Sequence, residues 1–490
     1  MSSNSLLVRR AAVLGAGVMG AQIAAHLANA GVPIVLFDLA TPADPNALAR
    51  RGIDALAKLE PAPLGRRDLA AQIDAANYEA DLARLADCDL VIEAIAERID
   101  WKRDLYARIA PHLAPSAILA SNTSGLSLAQ LAATLPAVLR PRFCGVHFFN
   151  PPRYMRLVEL VATADTDSAL LDALESWLTT ALGKGVIRAK DTPNFIANRI
   201  GIFSVLATMR HADTLGLRYD EVDALTGTAI GRPRSATYRT ADVVGLDTMA
   251  HVVKTMQDAL PDDPWHALFA TPSSLAALVA KGALGQKTKA GYYRKVGRDI
   301  EVLDPASGAY VASGAKVAPE VGAILALEGA HGRYARLRES SHPQAQFLWA
   351  IHRDLFHYAA HHLAAIADNV RDVDLAIRWG FGWTQGPFEL WQSAGWRDMA
   401  AWIESDRAAG RTLADVPLPA WVGAKAVIDA GGVHARGGAW SPARDAFVER
   451  PSLPVYRRQA YPDAVLGERR DRGTTIFETD ALRMWHREAD

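Results

Sequence analysis

The chain has 490 residues, half of them hydrophobic, with 53 Lys+Arg against 54 Asp+Glu and a net charge of −1. That is too long for one core, so two to four domains are expected, and the balanced charge excludes the basic excess of a nucleic-acid or membrane-surface protein. Cys88 and Cys144 lie in apolar runs as buried free thiols. With no apolar signal core and no continuously apolar span, they describe a cytoplasmic protein without membrane insertion or a metal site.

"AAVLGAGVMGAQIAAHLANAGVPIVLFD" (11–38) opens with a strand, Ala11 to Leu14. Gly15, Gly17 and Gly20 follow as G-x-G-x-x-G, then a helix with Ile23, Leu27 and Ala30 on one face and Gly31 as its stop. A second strand, Ile34 to Phe37, ends in Asp38. Gly15 allows the tight turn, Gly17 the approach of a pyrophosphate, and Gly20 close packing of helix on strand. The helix N-terminus, with Val18 and Met19 in its first turn, faces the phosphates. Asp38 stands where a carboxylate takes the adenosine ribose hydroxyls and repels a 2′-phosphate, which favours NAD over NADP. The competing view is a glycine-rich turn in some other α/β unit.

Residues 42–87 are expected to form two polar helical segments broken by "EPAPLG". "DLVIEAIAER" (89–98) and "SAILASNTSG" (116–125) each hold a buried strand. Alternating strands and helices predict an α/β Rossmann-type, parallel, doubly wound sheet, with ligand contacts at the carboxyl ends of its strands. Glu97, Ser121, Asn122, Ser124, His147 and Asn150 all fall at such ends. Within "FCGVHFFNPPRYMRLVELV" (143–161), His147 and Glu159 occupy two neighbouring apolar strands. A lone histidine in an apolar strand is most often a satisfied core residue. A second buried ionisable group beside it favours a functional pair, because a buried carboxylate requires a partner.

The remainder is read as all-α: a first helical domain over 191–300, a hairpin ("IEVLDPASGAYV") and linker over 301–344, and a second helical domain over 345–425. Asp191 or Thr192 is expected to cap the first helix, with Pro193 in its first turn. The two helical domains share a repeat. "YDEVDALTGTAIGRPRSATYRTADVVGLD" (219–247) is similar to "VRDVDLAIRWGFGWTQGPFELWQSAGW" (370–396), with Asp223 to Gly231 spaced as Asp374 to Gly382. Residues 426–490, rich in Pro and charge, are expected to be an extended connector.

"GAGVMGAQIA", "VIEAIAER", "SNTSGLS", "GVHFFNPP" and "KDTPNFIANR", in this order and spacing, resemble the (S)-3-hydroxyacyl-CoA dehydrogenase family of fatty-acid β-oxidation. The resemblance runs from about residue 8 to about 300, with a weaker echo to about 400. It implies an acyl-CoA substrate, the cofactor NAD, and His147 as general base with Glu159 as its orienting partner. It also implies Ser124 and Asn198 as holders of the substrate oxygen, and Glu97, Lys102, Asn122, Asn150 and Lys287 as cofactor contacts. Residue by residue, Ser124 is alternatively a helix N-cap, Asn198 a buried amide bonded to backbone, and Lys102 and Lys287 solvated surface lysines. Asn194 stands where the family often has Gly. It is placed in the helix's first turn and expected to be tolerated there.

Single-copy members dimerise through the helical domain, so a tandem copy implies either a homodimer or a pseudo-dimeric monomer. Some members continue into a crotonase-fold hydratase domain. Its motifs are absent here, so the chain is expected to be a dehydrogenase half that works alone or with a hydratase or thiolase partner. Competing readings are a dehydrogenase of small β-hydroxy acids without CoA and a non-catalytic dinucleotide-binding protein.

Overall fold

The structure, a computed structural model, describes residues 6–451, 453–458, 465–468, 474–478 and 483–486. Eight strands of the N-terminal half make one sheet: β1 Ala11–Leu14, β2 Ile34–Asp38, β3 Ile73–Asn77, β4 Leu90–Glu93, β5 Ile118–Ser121, β6 Phe143–Phe148, β7 Leu157–Ala162 and β8 Gly185–Ala189. Their order is β3-β2-β1-β4-β5-β6-β7-β8, parallel at every step except the antiparallel pair β6/β7. Helices α1 Val18–Asn29, α2 Ala47–Leu56, α3 Ile99–Ile109, α4 Leu128–Ala132 and α5 Ser168–Ala181 cover it. Because side chains alternate along a strand, Ala12 and Leu14 join one buried cluster with α3 and α4, while Ala11 and Val13 join another with α1 and α5. The strand order reverses between β1 and β4, which opens a crevice at their carboxyl ends.

The expectation of two polar helices over 42–87 needs correction. Only α2 is an α-helix; β3 and short 3-10 turns occupy the rest. In β3, "IDAAN", Asp74 is exposed and two of the five residues are alanine, so an edge strand carried little apolar signal.

The C-terminal half repeats one succession of elements. The first copy runs α6 Ala197–Leu215, α7 Tyr219–Thr226, α8 Tyr238–Val244, α9 Leu246–Ala259 and α10 Ser273–Ala280 into the antiparallel meander β9 Tyr293–Val296, β10 Asp299–Leu303, β11 Tyr310–Ala312. After α11 Pro319–Leu325 and α12 Ala330–Glu339, the second runs α13 Pro343–Ile366, α14 Val370–Phe381, α15 Pro387–Ser393, α16 Trp396–Ala408 and α17 Lys425–Ala430. It ends in the meander β12 His434–Ala435, β13 Gly438–Ser441, β14 Ala446–Val448. The segment expected as a linker therefore carries two helices with Tyr334 and Leu337 buried. Likewise the start of the expected connector is core, with Val427, Val433 and Trp440 fully enclosed.

Matched residues do matched work in the two copies. Asp223 accepts the backbone N–H groups of Thr237, Tyr238 and Arg239 at the start of α8, and Asp374 accepts that of Phe388 at the start of α15. Gly231 and Gly382 are both left-handed, at φ 73° and 69°. The copies also meet reciprocally. A Cβ on Gly231 would strike Thr384, and one on Gly382 would touch Pro233, the residue matching Thr384. This is the signature of a two-fold interface within one chain. Along it α6 and α13 pack closely, with Phe203 stacked on Tyr358 at 3.7 Å.

Part of the tail folds back. In α18 Pro454–Arg458, Tyr456 Oη donates to Glu175 of α5 at 2.5 Å, and Glu468 accepts from Arg371 Nε of α14 at 2.7 Å. A two-stranded hairpin, β15 Thr474–Glu478 and β16 Arg483–His486, follows. The other residues expected as connector (452, 459–464, 469–473, 479–482 and 487–490) lie outside the described residues. Among the described residues, no helix is long and apolar enough to cross a membrane.

His434 is fully enclosed, with Nε2 2.6 Å from Asp374 and Nδ1 3.7 Å from Glu468. Burial opposes its charge, but the two carboxylates outweigh burial and raise it to about 9. A raised histidine contributes stability that is complete below its unfolded value near 6.5 and is lost as pH rises through the folded value. The denaturant-midpoint gap between wild type and His434→Gln is therefore expected to narrow from pH 6.5 to about 9; a constant gap would refute the linkage.

Candidate active site

At the crevice, Gly15 turns the chain at φ 102°, and a Cβ there would stand 2.8 Å from the Ala94 carbonyl just past β4. A Cβ on Gly20 would lie 1.8 Å from the Gly15 carbonyl, so only glycine lets α1 seat against β1. Gly17 is the N-cap of α1 and supplies no side-chain bond, and a Cβ on it would meet nothing within 4 Å. No side chain thus caps the first N–H groups of the helix, around Val18 and Met19, as an anion site requires. Asp38 is not only a ribose candidate: its carboxylate accepts from Ala16 N and Leu39 N, each at 2.7 Å, and so braces the glycine turn. A glycine cradle, an uncapped helix start and a carboxylate at the end of β2 together fit the pyrophosphate and ribose of a dinucleotide.

Beside the turn lies a buried charge network. Glu93, fully enclosed at the end of β4, accepts from Lys102 Nζ at 2.6 Å, Ser121 Oγ at 2.7 Å, Ile95 N at 2.8 Å and Tyr106 Oη at 3.0 Å. Lys102 is correspondingly 1% exposed, so the surface-lysine alternative is corrected. Lys102 also stands 3.6 Å from Glu97, whose Oε1 accepts from Thr123 Oγ1, Ser124 N and Gly125 N at 2.6, 2.7 and 3.1 Å. The loop that carries Ser124 is therefore set by Glu97. The helix-cap alternative for Ser124 falls to Ser127, the actual N-cap of α4.

His147 and Glu159 are direct partners in the β6/β7 ladder, on the same face of the sheet. His147 Nδ1 lies 2.7 Å from Glu159 Oε2, with the side chains 5% and 0% exposed. The other carboxylate oxygen accepts from Ile196 N at 3.0 Å and Ala197 N at 2.8 Å, at the start of α6. The imidazole lies between Phe149 and Phe195, with ring centroids at 4.5 and 5.6 Å. Its Nε2 makes no hydrogen bond among the described residues.

Residues 10–192 match the family model for the NAD binding domain of 3-hydroxyacyl-CoA dehydrogenase, and residues 195–295 match that for its C-terminal domain. A probable 3-hydroxyacyl-CoA dehydrogenase of Deinococcus radiodurans is 43% identical over 290 residues, which are 59% of this chain and 83% of that protein. The chain belongs to the 3-hydroxyacyl-CoA dehydrogenase family. A probable 3-hydroxyacyl-CoA dehydrogenase of Bacillus subtilis is 37% identical over 441 residues, 86% of this chain but 54% of that protein, so the chain spans about half the length of this relative. The 3-hydroxybutyryl-CoA dehydrogenase structure from Escherichia coli has the same fold over 87% of this chain and 100% of its own, with a TM-score of 0.66 and 22% identity.

The other predicted dehydrogenase residues are placed as follows. Asn122 is buried at the end of β5, and its Oδ1 accepts from Phe148 N at 2.8 Å; Asn150 is exposed, and its Oδ1 accepts from Gln22 Nε2 at 3.1 Å. Asn198 lies in the first turn of α6, half-buried. Lys287 is half-exposed and ion-paired with Asp247 at 2.6 Å within the helical domain, as the surface-lysine alternative has it. The expected capping of α6 by Asp191 or Thr192 is overturned: Asp191 accepts from Leu128 N and Ala129 N at the start of α4. Asn194 precedes α6 rather than lying in its first turn. It is left-handed, at φ 62°, a conformation glycine adopts freely and asparagine tolerates.

Sequence reasoning missed Glu93, although it sits in "VIEAIAER"; an acid closing a strand beside the glycine turn was the available signal. Removing one partner of a buried ion pair leaves an uncompensated charge. Lys102→Met is expected to cost about 3–5 kcal/mol in chemical denaturation, and adding Glu93→Gln is expected to recover part of it; two independent, additive losses would refute the pairing.

Proposed function

We propose that the protein oxidises (S)-3-hydroxyacyl-CoA to 3-ketoacyl-CoA with NAD, as a step of fatty-acid β-oxidation. The observation that carries this reading is the buried His147–Glu159 pair, beside a glycine cradle suited to a dinucleotide. NAD, when bound, supplies the hydride acceptor. Its cradle would be Gly15, Gly17, Val18, Met19 and Gly20, with Asp38 favouring the unphosphorylated ribose.

His147 works through its two nitrogens. The hydrogen bond to Glu159 assigns the proton to Nδ1, which leaves Nε2 as the acceptor for the proton of the 3-hydroxyl. When Nε2 takes that proton, Glu159 balances the imidazolium at 2.7 Å and prevents the ring from rotating. Phe149 and Phe195 exclude water around the ring and keep the pair electrostatically strong. Ser124, on the loop fixed by Glu97, and Asn198, in the first turn of α6, hold the substrate oxygen. Glu97, Lys102, Asn122 and Asn150 shape the cofactor side.

The reciprocal contacts of the two helical copies support a monomer that contains its own pseudo-dimer. Similarity to a putative fatty acid oxidation complex trifunctional enzyme of Rickettsia felis, 32% identical over 428 residues, supports a companion hydratase or thiolase.

NADH absorbance after mixing the protein with NAD and (S)-3-hydroxyacyl-CoAs of graded chain length tests the reaction. His147→Gln is expected to lower turnover by about 10²–10⁴ with NADH binding retained. Turnover near wild type in that variant would refute the assignment. No signal from wild type with any chain length would overturn this reading of the chain as an enzyme active on its own.

A further inference from the structure

Residues 379–381, at the end of α14 in the second helical repeat, lie against the back of the His147–Glu159 pair. Three glycines record how closely. A Cβ on Gly380 would stand 2.7 Å from Leu157 Cδ2, 3.4 Å from Ala197 Cβ and 3.6 Å from Phe149 Cε1. Each of these residues borders the pair. Leu157 precedes Glu159 by two residues on the same strand, and Ala197 donates its N–H to Glu159 at 2.8 Å. Phe149 carries the ring that rests on His147 at 4.5 Å.

The residues flanking Gly380 are seated as tightly. A Cβ on Gly185, which opens β8, would fall 2.5 Å from the Trp379 ring, and one on Gly201 of α6 would fall 2.0 Å from Phe381. Arg156 also lies over Trp379, with its guanidinium carbon 4.7 Å from the ring centroid. Lys190, just past β8, donates from N to Ile366 O at 3.2 Å and from Nζ to Ala364 O at 2.8 Å, tying the end of α13 to the sheet edge. One side chain on each flank of Gly380 thus fills a glycine-floored hollow, one in the nucleotide-binding sheet and one in the first helical repeat.

We propose that the second helical repeat is a positioning element of the dehydrogenase centre, in which Trp379, Gly380 and Phe381 fix the Phe149–His147–Glu159–Ala197 constellation from behind. The repeat does not touch the reacting atoms. It acts by holding β7, the start of α6 and the Phe149 ring at one mutual spacing, on which all three hydrogen bonds of Glu159 depend. Packed interiors transmit such constraints because they have little room to relax. The inference rests on the dehydrogenase reading and gives the second copy a part in that site as well as in the pseudo-dimer.

The test uses the full chain and steady-state turnover with NAD and an (S)-3-hydroxyacyl-CoA across pH. Phe381→Ala empties the hollow over Gly201 and is expected to lower kcat ten- to hundredfold, the scale of small misplacements, with the affinity for NADH unchanged. Glu159 is the charged group that contacts His147 among the described residues. Loosening it destabilises the imidazolium, so the acidic limb of the kcat–pH profile is expected to move to lower pH. Phe381→Leu, which refills most of the hollow, should restore both kcat and profile.

Val302→Ala, a cavity at the fully buried side chain of the first repeat's otherwise exposed meander, is the control for lost stability and should leave the profile in place. If Phe381→Ala does not fold, Gly380→Ala is measured in the same way, since its methyl would press on Leu157 and touch Ala197 and Phe149, and the same losses are expected. A variant with wild-type kcat and pH profile, in a protein whose wild type is active, would overturn the inference. An inactive wild type would instead overturn the dehydrogenase reading.

Discussion

The Glu159 carboxylate is the junction on which the rest of the site depends. It is fully buried, and a buried carboxylate persists only when its lone pairs are met. One oxygen meets the imidazole of His147; the other meets two backbone N–H groups at the start of α6. The partial positive charge of a helix N-terminus and the imidazole of His147 therefore share one anion. The first helical domain cannot swing freely from the nucleotide-binding sheet without exposing that charge or leaving two donors unmet. The placing of His147 and the seating of the two halves are thus set by the same three hydrogen bonds.

A second charge centre organises the crevice beside the glycine turn. Glu93 and Lys102 form an enclosed pair whose value is positional, since buried ion pairs contribute little net stability. Glu93 collects Ser121, Tyr106 and the backbone of Ile95, while Lys102 reaches towards Glu97, which holds the Ser124 loop. Burial and the neighbouring Glu93 charge drive the Tyr106 phenol well above its ordinary range, so it stays protonated and donates to Glu93. Residues that look like separate cofactor and substrate contacts are in this way one connected network.

The helical half shows what tandem duplication gives a fold of this kind. An interface between two copies is formed inside one chain, where linkage replaces association and the entropic cost of bringing the copies together falls. Reciprocity survives in Gly231 against Thr384 and Gly382 against Pro233, yet the copies have diverged in chemistry. Asp223 accepts from the Tyr293 hydroxyl at 2.9 Å, where its counterpart Asp374 pairs with His434. Burial raises both aspartates to about 6, and each is steadied by a residue from the meander that closes its own copy.

The sequence by itself determined the features that depend on near neighbours along the chain. The glycine turn and its flanking strand and helix, the apolar strands of the sheet, and the spacing of Asp223–Gly231 against Asp374–Gly382 are periodic or local. Their physics acts within about a dozen residues. The pairing of His147 with Glu159 was legible for the same reason: two apolar strands twelve residues apart, each holding one ionisable group.

Tertiary structure decided whatever depended on partners distant in sequence. Lys102 was buried by Glu93 and not solvated. Asp191 capped α4 and not the helix that follows it. Lys287 was turned to Asp247, and the start of the supposed connector after residue 425 became core, with His434 and Trp440 enclosed. The alanine-rich edge strand β3 and the floor beneath Phe149 were equally hidden, since an edge strand carries little apolar pattern and Trp379-Gly380-Phe381 looks like any helix end. In each case the deciding partner lies too far along the chain for periodicity or spacing to name it.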